Sequence, residues 1–291
     1  DIRYSVLFSR TVPYYDTKNT NRVIFKKFFS NNLLKLINKK IFKIIPFKYF
    51  GVNPADLVLY PTRQDVNKNL PISKKTKIVL AHSFDYDNYL RQKKKESLIS
   101  EKYAVFIDGY MPFHPDHIME GKGHFLNPVS YFNNLNNFFD QFEVAYNMKV
   151  IIAIHPRADK NYGSIWYKER KSIYNETVRL VRDASAVIFH NSFSVQYAVL
   201  FNKPIFPIST KSIDEGIYRK FMPGPPVSWF ADFFEKNIEY IDDESYKIKK
   251  HSLLIDQNKY NKFKNLYIKD DSSSDIPYWE IFISHLNKLN N

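Results

Sequence analysis

The strongest constraint on the fold lies in residues 149–209, where three short apolar runs each break at a polar motif. The first, VIIAI at 150–154, is rich in β-branched residues and stops at His155-Pro156-Arg157. Proline cannot donate to a ladder, so a strand ends there. The second, AVIF at 186–189, gives way to His190-Asn191-Ser192-Phe193-Ser194 and then to a helical run over 195–201. The third, at 204–208, follows Lys203. Continuous apolar runs of this length, with no alternation, mark strands buried on both faces, and such strands belong to parallel sheets covered by helices. In open sheets of that kind ligands sit at the carboxyl ends of the strands. His155, Arg157, Ser192 and Ser194 therefore meet at one edge. The serine segment also opens a helix, whose unpaired amides suit an anion. The pattern predicts a site for a phosphorylated ligand.

The same reading gives strands at 4–9, 57–60, 77–81 and 103–107, and helices at 86–100, 129–146, 229–235 and 278–289. The sequence divides into a first α/β domain at 1–98, a second at 99–268, and a linker with a C-terminal helix at 269–291. A chain of 291 residues is long enough for two such cores. With seven glycines, repeated GxGxxG fingerprints are excluded, and no Walker A loop is present. The absence of cysteine removes disulfides, thiolate zinc sites and cysteine nucleophiles together, as expected of a reducing compartment. No apolar run is long enough to span a bilayer and the opening residues carry no signal-peptide pattern, so a cytoplasmic protein is expected.

A formal net charge of +13 calls for an anionic partner or surface. Residues 17–55 contain no acid but hold Lys18, Arg22, Lys26, Lys27, Lys35, Lys39, Lys40, Lys43 and Lys48, with Phe25, Phe28, Phe29, Leu33, Leu36 and Ile37 at helical intervals. Such a segment either lies on anionic lipid or turns its apolar stripe to its own core. Its aromatics follow helix period rather than an RNA-binding motif, so no nucleic-acid partner is expected.

Asp108 ends the YAVFI run and precedes Gly109. A carboxylate there suits a general base or a nucleophile, and equally a turn. His114-Pro115-Asp116-His117, with Glu120 and His124, offers metal-ligand chemistry or contacts to a substrate. A proline-fixed turn separates the two histidines instead of a helix face, so no metal is expected, and His114 and His117 stand as substrate contacts. Arg10, after the first strand, is a further one.

Taken in order, Ile107-Asp108-Gly109, His155-Pro156 and Ser192-Phe193-Ser194 resemble the acidic-acidic-Gly, HP and serine-rich motifs of bacterial GT-B glycosyltransferases that use CMP-activated ulosonic acids. These are the bacterial sialyltransferases and the Kdo transferases. Ile107 stands where that family has its first acid. The resemblance covers residues 103–208, and the contexts IDGYMPFHPD and HNSFSVQYAVLFNKPI look closer to the Kdo side. It implies a GT-B-like α/β fold of two Rossmann-like domains with a cleft between them, no metal, no cofactor, and the nucleotide on the C-terminal domain. By the same resemblance His155 contacts the CMP phosphate and assists its departure, with Pro156 and Phe193 in the same motifs. Ser192 and Ser194 bind that phosphate. Asp108 is the base of an inverting enzyme or the nucleophile of a retaining one. Arg157 and Lys203 are added on physical grounds, as cations beside an anionic donor. The acceptor implied is a surface glycan or glycolipid of the lipopolysaccharide, O-antigen or capsule kind, reached at the inner face of the cytoplasmic membrane. Two other classes stay open: a metal-dependent phosphate-handling hydrolase built on His114 and His117, and a basic nucleic-acid-binding protein.

Overall fold

The computed structural model describes residues 4–9, 51–63, 71–115, 126–190, 192–215, 227–243 and 246–290. Arg10, His117, Glu120, His124 and nearly all of the basic segment lie outside these residues. In chain order the described elements begin with β1 (Ser5–Leu7), β2 (Leu57–Tyr60), β3 (Lys77–Leu80), α1 (Phe84–Gln92) and β4 (Tyr103–Ile107). Next come α2 (Pro128–Tyr146), β5 (Lys149–Ile154), α3 (Tyr162–Trp166), β6 (Ser172–Tyr174) and α4 (Thr177–Asp183). The remainder is β7 (Ala186–Phe189), α5 (Gln196–Leu200), β8 (Ile205–Ser209), α6 (Lys211–Glu215), α7 (Val227–Phe234), β9 (Glu239–Tyr240), α8 (Gln257–Phe263) and α9 (Tyr278–Asn290).

Two parallel sheets carry the fold. The smaller has the order β1-β2-β3 and the larger β6-β5-β4-β7-β8-β9, with parallel pairing throughout. This is the two-sheet α/β layout that the apolar runs predict. Every residue of β4 and β7 is buried, as continuous apolar runs require when helices cover both faces. Alternate positions feed the two layers. Ala104, Phe106, Val150 and Ile152 pack with Phe138, Phe139 and Phe142 of α2. Val105, Ile107, Ile151 and Val187 pack with side chains of α1, α4, α5, α7 and α8. Phe138, Phe139 and Phe142 are each fully enclosed, so each contributes about 2–3 kcal/mol of apolar burial. Truncating one to alanine costs about 3–5 kcal/mol once the cavity is included.

Local chemistry sets the helix limits. Asn127 caps α2 by accepting the Ser130 N–H, and Pro128 begins the first turn without needing a donor. At the far end Asn147 turns left-handed, with φ of 49°. Gly163 in α3 is required by space, because a Cβ there would come within 2.6 Å of the Ser172 Cβ on β6.

The chain passes between the sheets twice, and the two passages touch. After β3 it enters α1, whose Tyr86 is part of the large-sheet core. The return ends in α9, whose Tyr278 and Ile281 pack on Leu57, Leu59 and Val79 of the small sheet. His82 and Lys269 form an antiparallel bridge between the passages. The fully buried His82 ring places Nδ1 3.0 Å from the Ser83 carbonyl and Nε2 2.8 Å from the Ile276 carbonyl. No helix among the described residues is long and apolar enough to cross a membrane.

Candidate functional site

The strand order of the large sheet locates its crevice. From β4 the chain runs outward through β5 to β6, then returns to β7 and runs the other way through β8 to β9. The reversal lies between β4 and β7, and helices diverge there to leave a crevice at the carboxyl ends. Ile107 pairs with both Ala153 of β5 and Phe189 of β7. Asp108, Ile154 and His190 are therefore level with one another, and the polar segments that follow open onto one edge.

Asp108 stands where the sequence puts it, but it is enclosed, with 2% of its surface exposed. Its Oδ1 accepts the Tyr110 N–H at 2.9 Å, the Tyr167 hydroxyl at 2.9 Å and the Tyr162 hydroxyl at 3.5 Å. Its Oδ2 accepts the His155 N–H at 3.3 Å. None of these donors is charged. Burial raises the carboxyl from 3.8 to about 6, with the hydrogen bonds from Tyr110, Tyr167, His155 and Tyr162 pulling the other way. The sequence alone suggests a strand-end carboxylate placed to act as a base or nucleophile, or to make a turn. The difference comes from Tyr162 and Tyr167, which belong to the polar excursion between β5 and β7 and fold back over it. Both phenols are pushed well above their ordinary value, by burial first and then by Asp108.

Tyr110 is bonded to that carboxylate through its N–H and takes left-handed dihedrals, φ 54° and ψ 34°. A bulky residue in that region stores about 1–3 kcal/mol of strain and needs its surroundings to hold it. Its ring lies nearly parallel to the His155 imidazole, 5.8 Å away at 8°. His114 meets the same imidazole edge-on, 5.3 Å away at 70°. The Nδ1 of His155 accepts the Arg157 N–H at 3.2 Å. A neutral His155 ring therefore carries its proton on Nε2, which makes Nε2 the ring's donor.

On the β7 side, Ser192 is extended and its hydroxyl accepts the Ser194 N–H at 3.2 Å. The helical run expected over 195–201 is a 3-10 turn, Phe193–Val195, followed by the short α5. Ser192, Phe193 and Ser194 thus form a capped turn at the crevice, and what they offer an anion is hydroxyls and turn amides rather than a long helix terminus. His190, just before them, is 3% exposed and stacks on Phe106 at 5.6 Å. Its Nε2 meets the Tyr131 hydroxyl at 2.8 Å, while Nδ1 has no hydrogen-bond partner among the described residues. Burial holds this imidazole down at about 3, so it is neutral.

The structure thus brings together Asp108, His114, His155, Pro156 and Arg157 at neighbouring strand ends, with Ser192, Phe193 and Ser194 one strand away. Lys203 is elsewhere. It precedes β8, at the amino edge, where its amine interacts with Asp183 and Arg182 and is lowered mainly by desolvation. The sequence reading adds Lys203 as a cation beside the donor, but a residue before a parallel strand faces the opposite edge from one after it. Arg10 and His117 lie outside the described residues. No group of metal-ligating side chains occurs among the described residues. Tyr110, Tyr131, Tyr162, Tyr167 and His190 are additions that sequence inspection passes over. Tyr110 follows Asp-Gly and His190 ends a strand, so both had a positional signal; the other tyrosines had none.

No family model matches the sequence, and no curated protein matches it. Among solved structures, UDP-GlcNAc 2-epimerase of Methanocaldococcus jannaschii in complex with UDP-GlcNAc and UDP aligns at 13% identity and TM-score 0.39, over 81% of this chain and 61% of that one. MnaA of S. aureus with UDP aligns at 14% and 0.42, over 81% and 61%. The wall teichoic acid polymerase TagF aligns at 13% and 0.39, over 87% and 61%. The chain spans about 61% of the length of these structures.

Proposed function

We propose that the protein is a glycosyltransferase that moves an ulosonic acid from a CMP-linked donor to a surface-glycan or glycolipid acceptor. The observation that carries this reading is the gathering of three motif segments at the switch point of a doubly wound sheet: Asp108 to Tyr110 after β4, His155 to Arg157 after β5, and Ser192 to Ser194 after β7. The motif resemblance supplies the donor class, and the geometry supplies a reason for the chemistry. Departure of CMP leaves negative charge on a phosphate. Donors fixed beforehand stabilise that charge without reorganising, and each one typically accounts for about 10²–10³ in rate. His155, as the Nε2–H tautomer, and the Ser192 and Ser194 hydroxyls are such donors. Arg157, exposed at the turn after β5, adds charge near the donor.

Asp108 enters this reading as a buried anchor, not as the attacking or proton-accepting carboxylate. Its two oxygens accept four hydrogen bonds from within the protein. A position at the cytoplasmic membrane surface belongs to the proposal through the composition of residues 17–55.

The test is donor turnover. Incubation with a CMP-activated ulosonic acid should release CMP, seen by phosphorus NMR or mass spectrometry, and UDP- and GDP-linked hexoses should stay intact. Turnover of a UDP-sugar with no action on the CMP donor would refute the donor assignment.

A further inference from the structure

We propose that Tyr110 is a positioning residue for His155, anchored by Asp108, and that together they fix which imidazole nitrogen presents the proton. The inference rests on reading His155 as a donor to the nucleotide phosphate.

Tyr110 adopts a backbone conformation that its side chain does not favour, with φ at 54°. Asp108 holds it there, since Oδ1 accepts the Tyr110 N–H at 2.9 Å from a buried position. The ring is then gripped from its own side, edge-on by Tyr162 at 5.0 Å and 78°, and by Phe113 at 5.9 Å. It lies parallel to the His155 imidazole at 5.8 Å. The same Asp108 carboxylate accepts the His155 N–H through Oδ2. One buried carboxylate thus fixes the backbone of both stacked residues, and the stack fixes the imidazole plane. In that plane Nδ1 faces the Arg157 N–H at 3.2 Å. A donor facing Nδ1 forces the proton of the neutral ring onto Nε2. A phosphate oxygen needs a donor, so the tautomer matters. Without the Tyr110 ring the imidazole keeps the edge-on contact of His114 but loses the face that sets its plane, so that Nδ1 meets Arg157 less regularly and both tautomers become populated.

Long-range proton–nitrogen NMR of the full chain with labelled histidine reads the tautomer directly, with His155→Ala identifying the signals. Wild type and Tyr110→Phe should both show His155 mainly as the Nε2–H form, and should bind CMP alike. Tyr110→Gly, which relieves the backbone strain while deleting the ring, should show mixed tautomers and CMP binding weakened in proportion to the Nε2–H fraction lost, about twofold for an even mixture. Tyr110→Leu, which keeps bulk without an aromatic face, should behave as the glycine variant does. A wild-type tautomer signature with wild-type CMP affinity in both ring-deleted variants would overturn the proposal. So would Tyr110→Phe behaving like Tyr110→Gly. A tautomer change in the absence of any CMP binding to the wild type would support positioning while removing the phosphate reading, so the two claims fail separately.

Discussion

The two edges of the large sheet treat charge in opposite ways. At the amino edge, opposite charges meet. Arg170 bonds Asp140 and lies 3.5 Å from Glu143, Lys149 lies 3.7 Å from the same glutamate, and Lys168 lies 3.4 Å from Asp140. Arg182 grips Asp183 with two bonds of 2.7 Å. An open groove of about 630 Å³ beside β5 is lined by both signs in near balance, including Glu101, Asp140, Glu143, Lys149, Lys168 and Arg170. At the carboxyl edge a buried carboxylate is held by hydroxyls and backbone amides, a neutral histidine keeps one nitrogen without a partner among the described residues, and a tyrosine sits left-handed. Charges neutralised on the spot offer a ligand less, although Lys168 there is also left-handed and Arg170 Nε has no hydrogen-bond partner among the described residues. A carboxylate and an imidazole enclosed without a countercharge depart from a fold's local rules, and such departures are enriched at functional sites.

The sharpest way to break the comparison is Asp108→Ala. It strips the acceptor from two backbone amides and the Tyr167 hydroxyl in a buried place. At about 1–3 kcal/mol for each orphaned donor, chemical denaturation should show a loss of at least about 3 kcal/mol. A loss under 1 kcal/mol would mean that Asp108 is not an anchor.

The next effect is on pH dependence. The folded Asp108 carboxyl titrates at about 6 against an ordinary 3.8, so the native state holds its proton more tightly than the unfolded chain. Its contribution to stability is complete below the ordinary value and is lost as pH rises through about 6, amounting to about 3 kcal/mol. His190 works the other way: held at about 3 against 6.5, its contribution is present at neutral pH and is lost as pH falls. The difference in unfolding free energy between wild type and Asp108→Asn cancels His190, and should be larger at pH 4 than at pH 7.5. A difference that does not change with pH would show that the carboxyl is not held above its ordinary range.

The smallest effects belong to the amino edge. Lys168→Ala removes an exposed pair, with side chains 60% and 55% accessible, and should change stability by no more than about 0.5 kcal/mol. Lys203→Ala should leave CMP affinity unaltered, because its amine lies with Asp183. A clear loss of CMP binding in Lys203→Ala would dissolve the distinction between the edges.

How far the sequence could be read follows from the same contrast. Strands buried on both faces write themselves as apolar runs, so 57–60, 103–107 and 186–189 appear in the structure with the limits read from the chain. Half-buried β6 and the two-residue β9 carry no such run and leave no trace. Positions directly after strands were legible as an edge, which is why Asp108, His155 and Ser192 all follow the carboxyl ends of neighbouring strands in the large sheet. What lies over that edge was not. Tyr162 and Tyr167 reach Asp108 from more than 50 residues away, and no local pattern records that return. Lys203 shows the converse: a cation beside an apolar run says nothing about which end of the strand it guards.

The central claim, that the carboxyl edge binds the phosphate of a cytidine nucleotide through His155, is tested most directly by thermal unfolding of wild type and His155→Ala with CMP, UDP, GDP and ADP. CMP at about 100 times its dissociation constant should add roughly 2.7 kcal/mol to wild type and much less to His155→Ala, while the two proteins melt alike without nucleotide. Equal stabilisation of both proteins by CMP, or stabilisation of wild type by UDP or ADP and not by CMP, would contradict it.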